Sequence, residues 1–507
     1  MAVVTIITNG QKRRLKGSEG ESLYSLLSSE GLLTAPCGGS GLCGKCRVRF
    51  ISSPAPPVAD ELEIFTDSQL KAGWRLACLY PLMGEICIEL PQLTENKLKV
   101  NFCEQAEQGE MLALALDLGT TSLAACLLDT KGQKKAEAFC LNSQRFFGAD
   151  IISRLNYAAK SNGQKQLQNA VCADIRQLLF ALCSAVGADK KQVKHAVVAA
   201  NTAMLALLCG IDTTSLGQAP YRLMCDLPQQ VNSAQLPLGL DAGSVIDLIA
   251  PFDGFIGGDV RAGLTALDFG SDGGTSLFLD LGTNGEIVLA VRGQYYAASA
   301  AAGPVFEGFG LDCGMSAQSG AIYQAGLTDG KLTYKTIDDA PALGICGSGL
   351  FDLLRIGLQS GAISKRGRLQ KEHPLVREIG NKRALVVDIA RGIYLTQDDI
   401  RQAQLAKAAI RAALKQLCMQ AHILEGEISR AVIAGSLGSN LNEKALITVG
   451  LLPDTLYSKI SFAGNTSLAG SVIYLQNISL FNKAVNVVYL AEYAEYKKLF
   501  IQEINFL

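Results

Sequence analysis

One short motif occurs twice in this chain, and the distance between its copies sets the architecture. Leu114-Ala115-Leu116-Asp117-Leu118-Gly119-Thr120-Thr121 returns, 163 residues later, as Leu277-Phe278-Leu279-Asp280-Leu281-Gly282-Thr283-Asn284. Each copy is an apolar run ending in Asp-x-Gly-Thr, the pattern of a strand that runs into a tight turn. The spacing is far longer than the ~20–50 residues of a solenoid repeat. It predicts two related lobes facing a shared cleft. From Met111 onward, strands alternate with long Ala/Leu-rich helices, the texture of an α/β fold. A chain of 507 residues is also too long for one ordinary core.

The turns carry a chemistry of their own. A tight hairpin brings backbone amides close to phosphate oxygens, and the threonine hydroxyls add donors. An Asp at a strand end can hold a Mg²⁺-bound water, because Mg²⁺ keeps several waters and takes few protein carboxylates. A third strand, 431–434, follows the helix expected over 399–421, which puts Ile410, Ala413, Leu414 and Leu417 on one face. That strand ends in Gly435-Ser436-Leu437-Gly438, where a nucleoside can lie against backbone. Taken singly, each of these is an ordinary structural turn; taken together and in order, they point to a nucleotide. No G-x-x-x-x-G-K-[ST] sequence is present, so a P-loop does not compete. The ordered set resembles the acetate and sugar kinase/Hsc70/actin (ASKHA) superfamily. Its phosphate-1 motif would be 117–122, phosphate-2 280–286 and the adenosine motif 434–438. Residues 464–470 resemble the segment leading into that superfamily's closing inter-lobe helix.

Ahead of the first copy lies a different texture. Residues 1–92 read as one small domain: an opening strand through Ile7 ended by Asn9-Gly10, a short helix near 22–30, a Gly/Cys-rich loop, a strand over 46–51 and a closing strand over 84–90. Within it stand Cys37-x5-Cys43-x2-Cys46 and, after 31 more residues, Cys78. Four thiolates are what a [2Fe–2S] cluster needs, and plant-type ferredoxins use a three-plus-one layout with four residues in the first gap. Gly38, Gly39, Gly41 and Gly44 allow backbone to wrap the sulfides and aim N–H groups at them. The competing reading is zinc, but structural zinc draws its ligands in separated pairs rather than as a triplet plus a distant single. The stretch resembles the adrenodoxin-like variant of the ferredoxins, which implies a β-grasp fold. The other eleven of the 15 cysteines form no C-x-x-C pair and read as small buried apolar residues.

Charge and hydropathy narrow the class further. Lys and Arg number 46 against 47 Asp and Glu, so no basic footprint for nucleic acid is visible. No run approaches the ~18 uninterrupted apolar residues of a membrane span. The start is too short for a signal-peptide core and reaches Lys12-Arg13-Arg14 too soon. A cytoplasmic location is therefore expected, with thiols that ligate metal rather than pair as disulfides. Residues 93–110 are polar and weakly patterned, as a linker would be. The resulting division is 1–92, a linker 93–110, a first lobe 111–275 and a second lobe 276–507.

A ferredoxin domain joined to an ASKHA domain resembles the reductive activators of corrinoid-dependent methyl-transfer proteins, over nearly the whole chain. Further blocks carry that resemblance: Gly148-Ala149-Asp150-Ile151-Ile152-Ser153-Arg154, Asn201-Thr202-Ala203-Met204, Ala301-Ala302-Gly303-Pro304-Val305-Phe306-Glu307-Gly308, Gly344-Ile345-Cys346-Gly347-Ser348-Gly349-Leu350 and Thr396-Gln397-Asp398-Asp399-Ile400-Arg401. The longer members of the family carry an extra segment after the ferredoxin domain, where this chain has only residues 93–110.

The resemblance implies ATP-dependent, one-electron reduction of a corrinoid protein from Co(II) to Co(I), fed by a low-potential donor. It also implies a homodimer as one arrangement. Cys37, Cys43, Cys46 and Cys78 would hold the cluster. Asp117, Gly119, Thr120, Thr121, Asp280, Gly282, Thr283 and Asn284 would hold phosphates and Mg²⁺, and Gly435, Ser436 and Gly438 would line the nucleoside pocket. Asp259 and Glu307 are candidates for positioning water, set against a plain turn or surface carboxylate. His195, His373 and His422 have no partner spacing of interest and read as structural. The alternatives are an ATP-coupled activase for a non-corrinoid enzyme and a redox-regulated ASKHA kinase.

Overall fold

The computed structural model describes the chain except residues 9–10, 31, 34, 36–38, 40–45, 52–55, 63, 66, 91–97, 149, 219–222, 225, 436–440, 477 and 507. The Asn9-Gly10 turn, Cys37, Cys43, Ser436 and Gly438 thus lie outside the described residues. The chain forms two compact units, Met1–Val198 with Ala203–Leu248, and Ala199–Thr202 with Ile249–Leu507.

The first unit opens on a five-stranded sheet in the order Gln11–Gly17, Ala2–Thr8, Glu85–Glu89, Arg47–Phe50, Trp74–Leu76. Ala2–Thr8 runs antiparallel to Gln11–Gly17 and parallel to Glu85–Glu89. Ala2, Val4 and Ile6 point into the core and alternate with half-buried neighbours, the period-two pattern of a strand with one face covered. Helix Leu23–Ser29 covers that face with Leu23 and Leu27, and its N-cap Ser22 accepts a hydrogen bond from Ser25 N at 3.0 Å. This is the β-grasp ferredoxin domain.

The same unit contains a seven-stranded sheet, ordered Gln230–Asn232, Val245–Leu248, Val193–Ala200, Leu112–Leu118, Ser122–Asp129, Lys134–Leu141, Lys99–Phe102. At its centre Leu112–Leu118, Ser122–Asp129 and Lys134–Leu141 form an antiparallel meander. The edge strand Lys99–Phe102 falls in the stretch expected to be linker and pairs antiparallel with Lys134–Leu141. Leu98, Val100 and Phe102 alternate with Lys99 and Asn101, a strand signal that the reading of 93–110 as weakly patterned passed over. Helix Gly163–Val186 packs on this sheet through Leu167, Val171, Ile175, Leu178 and Leu182, the stripe of a helix with one buried side. By length and composition it would pass for a membrane span, but half of its apolar window is buried inside the protein.

The second unit repeats the meander. Its six-stranded sheet runs Ile460–Gly464, Arg430–Ala434, Ser276–Leu281, Gly285–Val291, Gln294–Ala300, Val485–Val487. Ser276–Leu281, Gly285–Val291 and Gln294–Ala300 are antiparallel, and Arg430–Ala434 joins Ser276–Leu281 in parallel. Both copies of the sequence repeat therefore end on the first turn of a meander. Helix Gln397–Gln420 buries Ile410, Ala413, Leu414 and Leu417 against this sheet. Its start is fixed by a reciprocal cap: Thr396 Oγ1 accepts from Asp399 N at 3.1 Å, and Asp399 Oδ2 accepts from Thr396 N at 2.9 Å. Helix Thr466–Leu475 crosses Gly258–Ala266 so closely that a Cβ at Gly470 would lie 2.0 Å from the Ala262 oxygen.

Candidate functional site

In the ferredoxin domain the sulfurs of Cys46 and Cys78 lie 3.1 Å apart. Strand pairing brings them together: Arg47 is in register with Leu76, and Ala77 N donates to Cys46 O at 2.8 Å. A buried carboxylate fixes that register. Glu61 Oε1 accepts from Leu76 N at 2.6 Å, and its Oε2 accepts from Tyr80 O–H at 2.6 Å and Val58 N at 3.1 Å. The Arg75 guanidinium lies 3.9 Å from the same oxygen. Burial, followed by Glu61, holds the Tyr80 hydroxyl above its ordinary range. Gly39 has φ +87°, and a Cβ there would come within 2.4 Å of the Tyr24 ring, so only glycine fits. Cys46 and Cys78, two free thiols side by side, are half of the donor set that a [2Fe–2S] cluster needs; Cys37 and Cys43 lie outside the described residues.

The first phosphate hairpin turns between Leu112–Leu118 and Ser122–Asp129. Gly119 N donates to Ser122 O at 3.0 Å, and a Cβ on Gly119 would lie 2.7 Å from that oxygen. Three carbonyls of the turn are engaged from behind. Asn142 Nδ2 donates to Gly119 O at 2.9 Å, Arg154 Nη2 donates to Thr120 O at 2.6 Å, and Asn142 N donates to Thr121 O at 2.9 Å. A trans peptide points its N–H opposite its C=O. Holding those carbonyls therefore aims the N–H groups of Thr120 and Thr121 the other way, the orientation that an anion-binding turn needs. Arg154 is fully buried, so its charge lies immediately behind the hairpin. Asp117 stands at the strand end, in register with Ala124.

The second hairpin also has three residues between its strands, but its turn is tighter, with Gly282 N donating to Asn284 O at 3.1 Å. Thr283 O–H donates to Glu307 Oε2 at 2.6 Å. Glu307 is presented by the short turn Pro304–Glu307, flanked by Gly303 (φ +75°) and Gly308 (φ +84°). A Cβ at Gly308 would meet Met315 O at 2.0 Å. Asp280 is in register with Ala434, which brings Gly435 beside it. Gly435 has φ +99°, and a Cβ there would lie 2.9 Å from Asp280 Oδ1 and 2.6 Å from Leu281 O.

Asp259 sits in the first turn of Gly258–Ala266, where its Oδ1 accepts from Val260 N at 2.8 Å. Burial, then the charges of Asp259 and Asp280, push the Glu286 carboxyl well above its ordinary range. Ser299 Oγ donates to Glu286 Oε1 at 3.3 Å. Asp280, beside Gly435, offers a carboxyl oxygen of the kind that hydrated Mg²⁺ takes.

Sequence reasoning did not assign roles to Glu286, Asn142, Arg154 or Glu61. Arg154 had a faint signal, since Asp150-x-x-Ser153 is a reciprocal cap that starts the helix at Ile151 and so sets Arg154 at the end of its first turn. Glu61 had none. Of the three histidines, His195 pairs with Asp247 at 2.7 Å, and His373 bonds backbone at Ser360 and Leu375.

Three family models match the chain. Residues 6–83 match the 2Fe–2S iron–sulfur cluster binding domain, 112–272 the RACo middle region, and 274–506 the C-terminal domain of RACo, the ASKHA domain. The corrinoid activation enzyme RamQ of Eubacterium limosum is 32% identical over 379 residues, 71% of this chain and 64% of RamQ. The chain thus spans just under two thirds of that relative. A Methanosarcina barkeri protein described as [Co(II) methylated amine-specific corrinoid protein] reductase is 25% identical over 390 residues, 71% of this chain and 69% of that protein. A solved structure described as a reductive activator for corrinoid, iron-sulfur protein superposes with a TM-score of 0.72 at 25% identity, covering 99% of this chain and 98% of the other.

Proposed function

The chain belongs to the RACo family, and on that premise we propose that it is an ATP-dependent reductive activator of a corrinoid protein. The observation that carries this reading is the joining, in one chain, of the Cys46–Cys78 sulfur pair with two phosphate-type hairpins. The activities named for the two relatives and the solved structure support the same target chemistry.

Cys37, Cys43, Cys46 and Cys78 would hold a [2Fe–2S] cluster, which would supply the one electron that takes a partner's Co(II) corrinoid to Co(I). The chain's own residues do the rest. Glu61 holds the segment bearing Cys78 against the strand that follows Cys46. Asp117 with Gly119–Thr121 backbone, and Asp280 with Gly282, Thr283 and Asn284, bind ATP phosphates and Mg²⁺. Gly435, Ser436 and Gly438 line the nucleoside site. Glu307, bonded to Thr283, and Asp259 orient the water that cleaves the γ-phosphate.

Coupling to ATP answers a thermodynamic need. A plant-type cluster sits near roughly −400 mV. A shortfall of ~100–200 mV for one electron amounts to ~2.3–4.6 kcal/mol, at ~59 mV per factor of ten. ATP can offset such a gap only by binding one conformation or complex better than another. The electron enters from a low-potential donor.

Two variants test the division of labour. Cys43→Ser is expected to abolish reduction of the corrinoid while sparing nucleotide binding. Asp280→Ala is expected to keep the visible cluster spectrum and lose ATP-dependent turnover. Full activity in Cys43→Ser would overturn the electron path, and a phosphorylated small-molecule product would replace this function with that of a kinase.

A further inference from the structure

One short segment, residues 142–154, joins the ferredoxin domain to the first phosphate hairpin. On one side it receives two hydroxyls from helix Leu23–Ser29. Tyr24 O–H donates to Phe146 O at 3.2 Å, and the Ser28 hydroxyl donates to the same oxygen. A carbonyl has two lone pairs, so it accepts both bonds at once. Tyr24 faces the cluster loop as well. Its oxygen accepts from Ala35 N at 3.3 Å, and its ring occupies the space where a Cβ on Gly39 would stand. Ala35 is two residues ahead of Cys37.

On the other side the same segment supplies Asn142 and Arg154, which hold the carbonyls of Gly119, Thr120 and Thr121. Internal bonds make the segment one piece. Asn142 Oδ1 accepts from Gln144 N at 2.9 Å, Gln144 Oε1 accepts from Arg154 Nη1 at 3.1 Å, and Arg154 Nε donates to Gly148 O at 2.9 Å. Asp174 anchors it to the long helix by accepting from Ser143 N and Ser143 O–H, both at 2.7 Å. Asn142, Gln144 and Arg154 are all fully buried. A bond broken there has no water to replace it, so the segment moves as a unit or not at all.

We propose that residues 142–154 are a bridge coupling phosphate occupancy of the first hairpin to the cluster loop, with Arg154 and Tyr24 as its positioning residues at the two ends. The inference rests on the nucleotide reading above and deepens it. A phosphate drawn onto the amides of Thr120 and Thr121 pulls on peptides whose carbonyls Arg154 and Asn142 hold. The shift reaches Phe146 O, and through Tyr24 and Ser28 it reaches the backbone at Ala35 and Gly39. No covalent step is involved. Nucleotide would thus alter the surroundings of the cluster before any partner binds.

The test uses the full-length, cluster-loaded protein with Mg²⁺ and a non-hydrolysable ATP analogue. Hydrogen exchange at residues 23–35 and the midpoint potential of the bound cluster are read with and without the analogue. In the unaltered protein the analogue is expected to change exchange at 23–35 by about fivefold or more, the lower end of ordinary site-to-site coupling, and to shift the potential. The double variant Tyr24→Phe/Ser28→Ala removes both donors to Phe146 O, and with them the acceptor for Ala35 N, and keeps every cysteine and hairpin residue. It is expected to keep the cluster spectrum and the analogue affinity while both responses vanish. Binding of the analogue with no response at 23–35, or a response undiminished in the double variant, would overturn the bridge and leave the nucleotide reading intact. No binding at all would overturn both.

Discussion

Gly435 shows how much can depend on a missing side chain. Its φ of +99° and its approach to Asp280 Oδ1 leave no room for a methyl group. Gly435→Ala is expected to cost about 1–3 kcal/mol at this strained position. Expressed as weakened ATP affinity, that is roughly 5–150-fold, with cluster absorbance and secondary structure unchanged. Isothermal titration with Mg-ATP measures it directly, and unaltered affinity would remove Gly435 from the nucleotide site. Thr283 is a second such point, because its hydroxyl is bonded to Glu307. Thr283→Val is expected to slow ATP hydrolysis and Thr283→Ser to restore most of it; an equal loss in both would mean that the methyl group matters and not the bond. At this scale the sequence was informative where chemistry is local. The hairpin residues were visible as candidates because Asp-x-Gly-Thr turns announce themselves, and Glu307 because its block, 301–308, resembles the family's. Glu286 and Arg154 were not, because their roles come from burial against groups distant in the chain.

Elements are held in place by buried charges that no periodicity reveals. Glu61, with no exposed surface, ties Leu76 N, Tyr80 O–H and Val58 N together in the ferredoxin domain. Removing one member of a buried ion pair typically costs ~3–5 kcal/mol. Glu61→Ala is therefore expected to lower the domain's stability by about that much and to hasten loss of the visible cluster spectrum. The C-terminal helix Ala494–Gln502 and the residues after it are fastened in the same way. Lys407 Nζ donates to Glu503 O and Asn505 O, each at 2.8 Å. Burial pushes the Lys407 ammonium down to about 8, against ~10.4 for an unfolded lysine. The unfolded chain then holds the extra proton between those values, so this group's contribution to stability rises with pH from about 8 to ~10.4. Chemical denaturation at pH 7.5 and 10 should show that rise, and Lys407→Met should remove it. By contrast, the helix Gln397–Gln420 was readable from its apolar stripe, and its Thr396/Asp399 cap is a sequence signature. The edge strand Lys99–Phe102 was passed over although Leu98, Val100 and Phe102 alternate with polar residues, because so short a run lies within a polar stretch.

For the whole molecule, the duplicated Asp-x-Gly-Thr motif was enough to anticipate two related lobes, though not the meander each is built on, and the cysteine spacing was enough to anticipate a ferredoxin domain. The bridge between them was hidden. It depends on Tyr24, Ser28 and Phe146, residues of ordinary type about 120 positions apart, and only the fold brings them together. If that bridge and the two hairpins serve one purpose, ATP and the cluster act as one device. The most direct measurement mixes the anaerobic, pre-reduced protein with a Co(II) corrinoid protein and a low-potential reductant, and follows the Co(I) absorption band. The band is expected to appear only when ATP and Mg²⁺ are both present. Co(I) formation indifferent to ATP across several corrinoid partners would contradict the account.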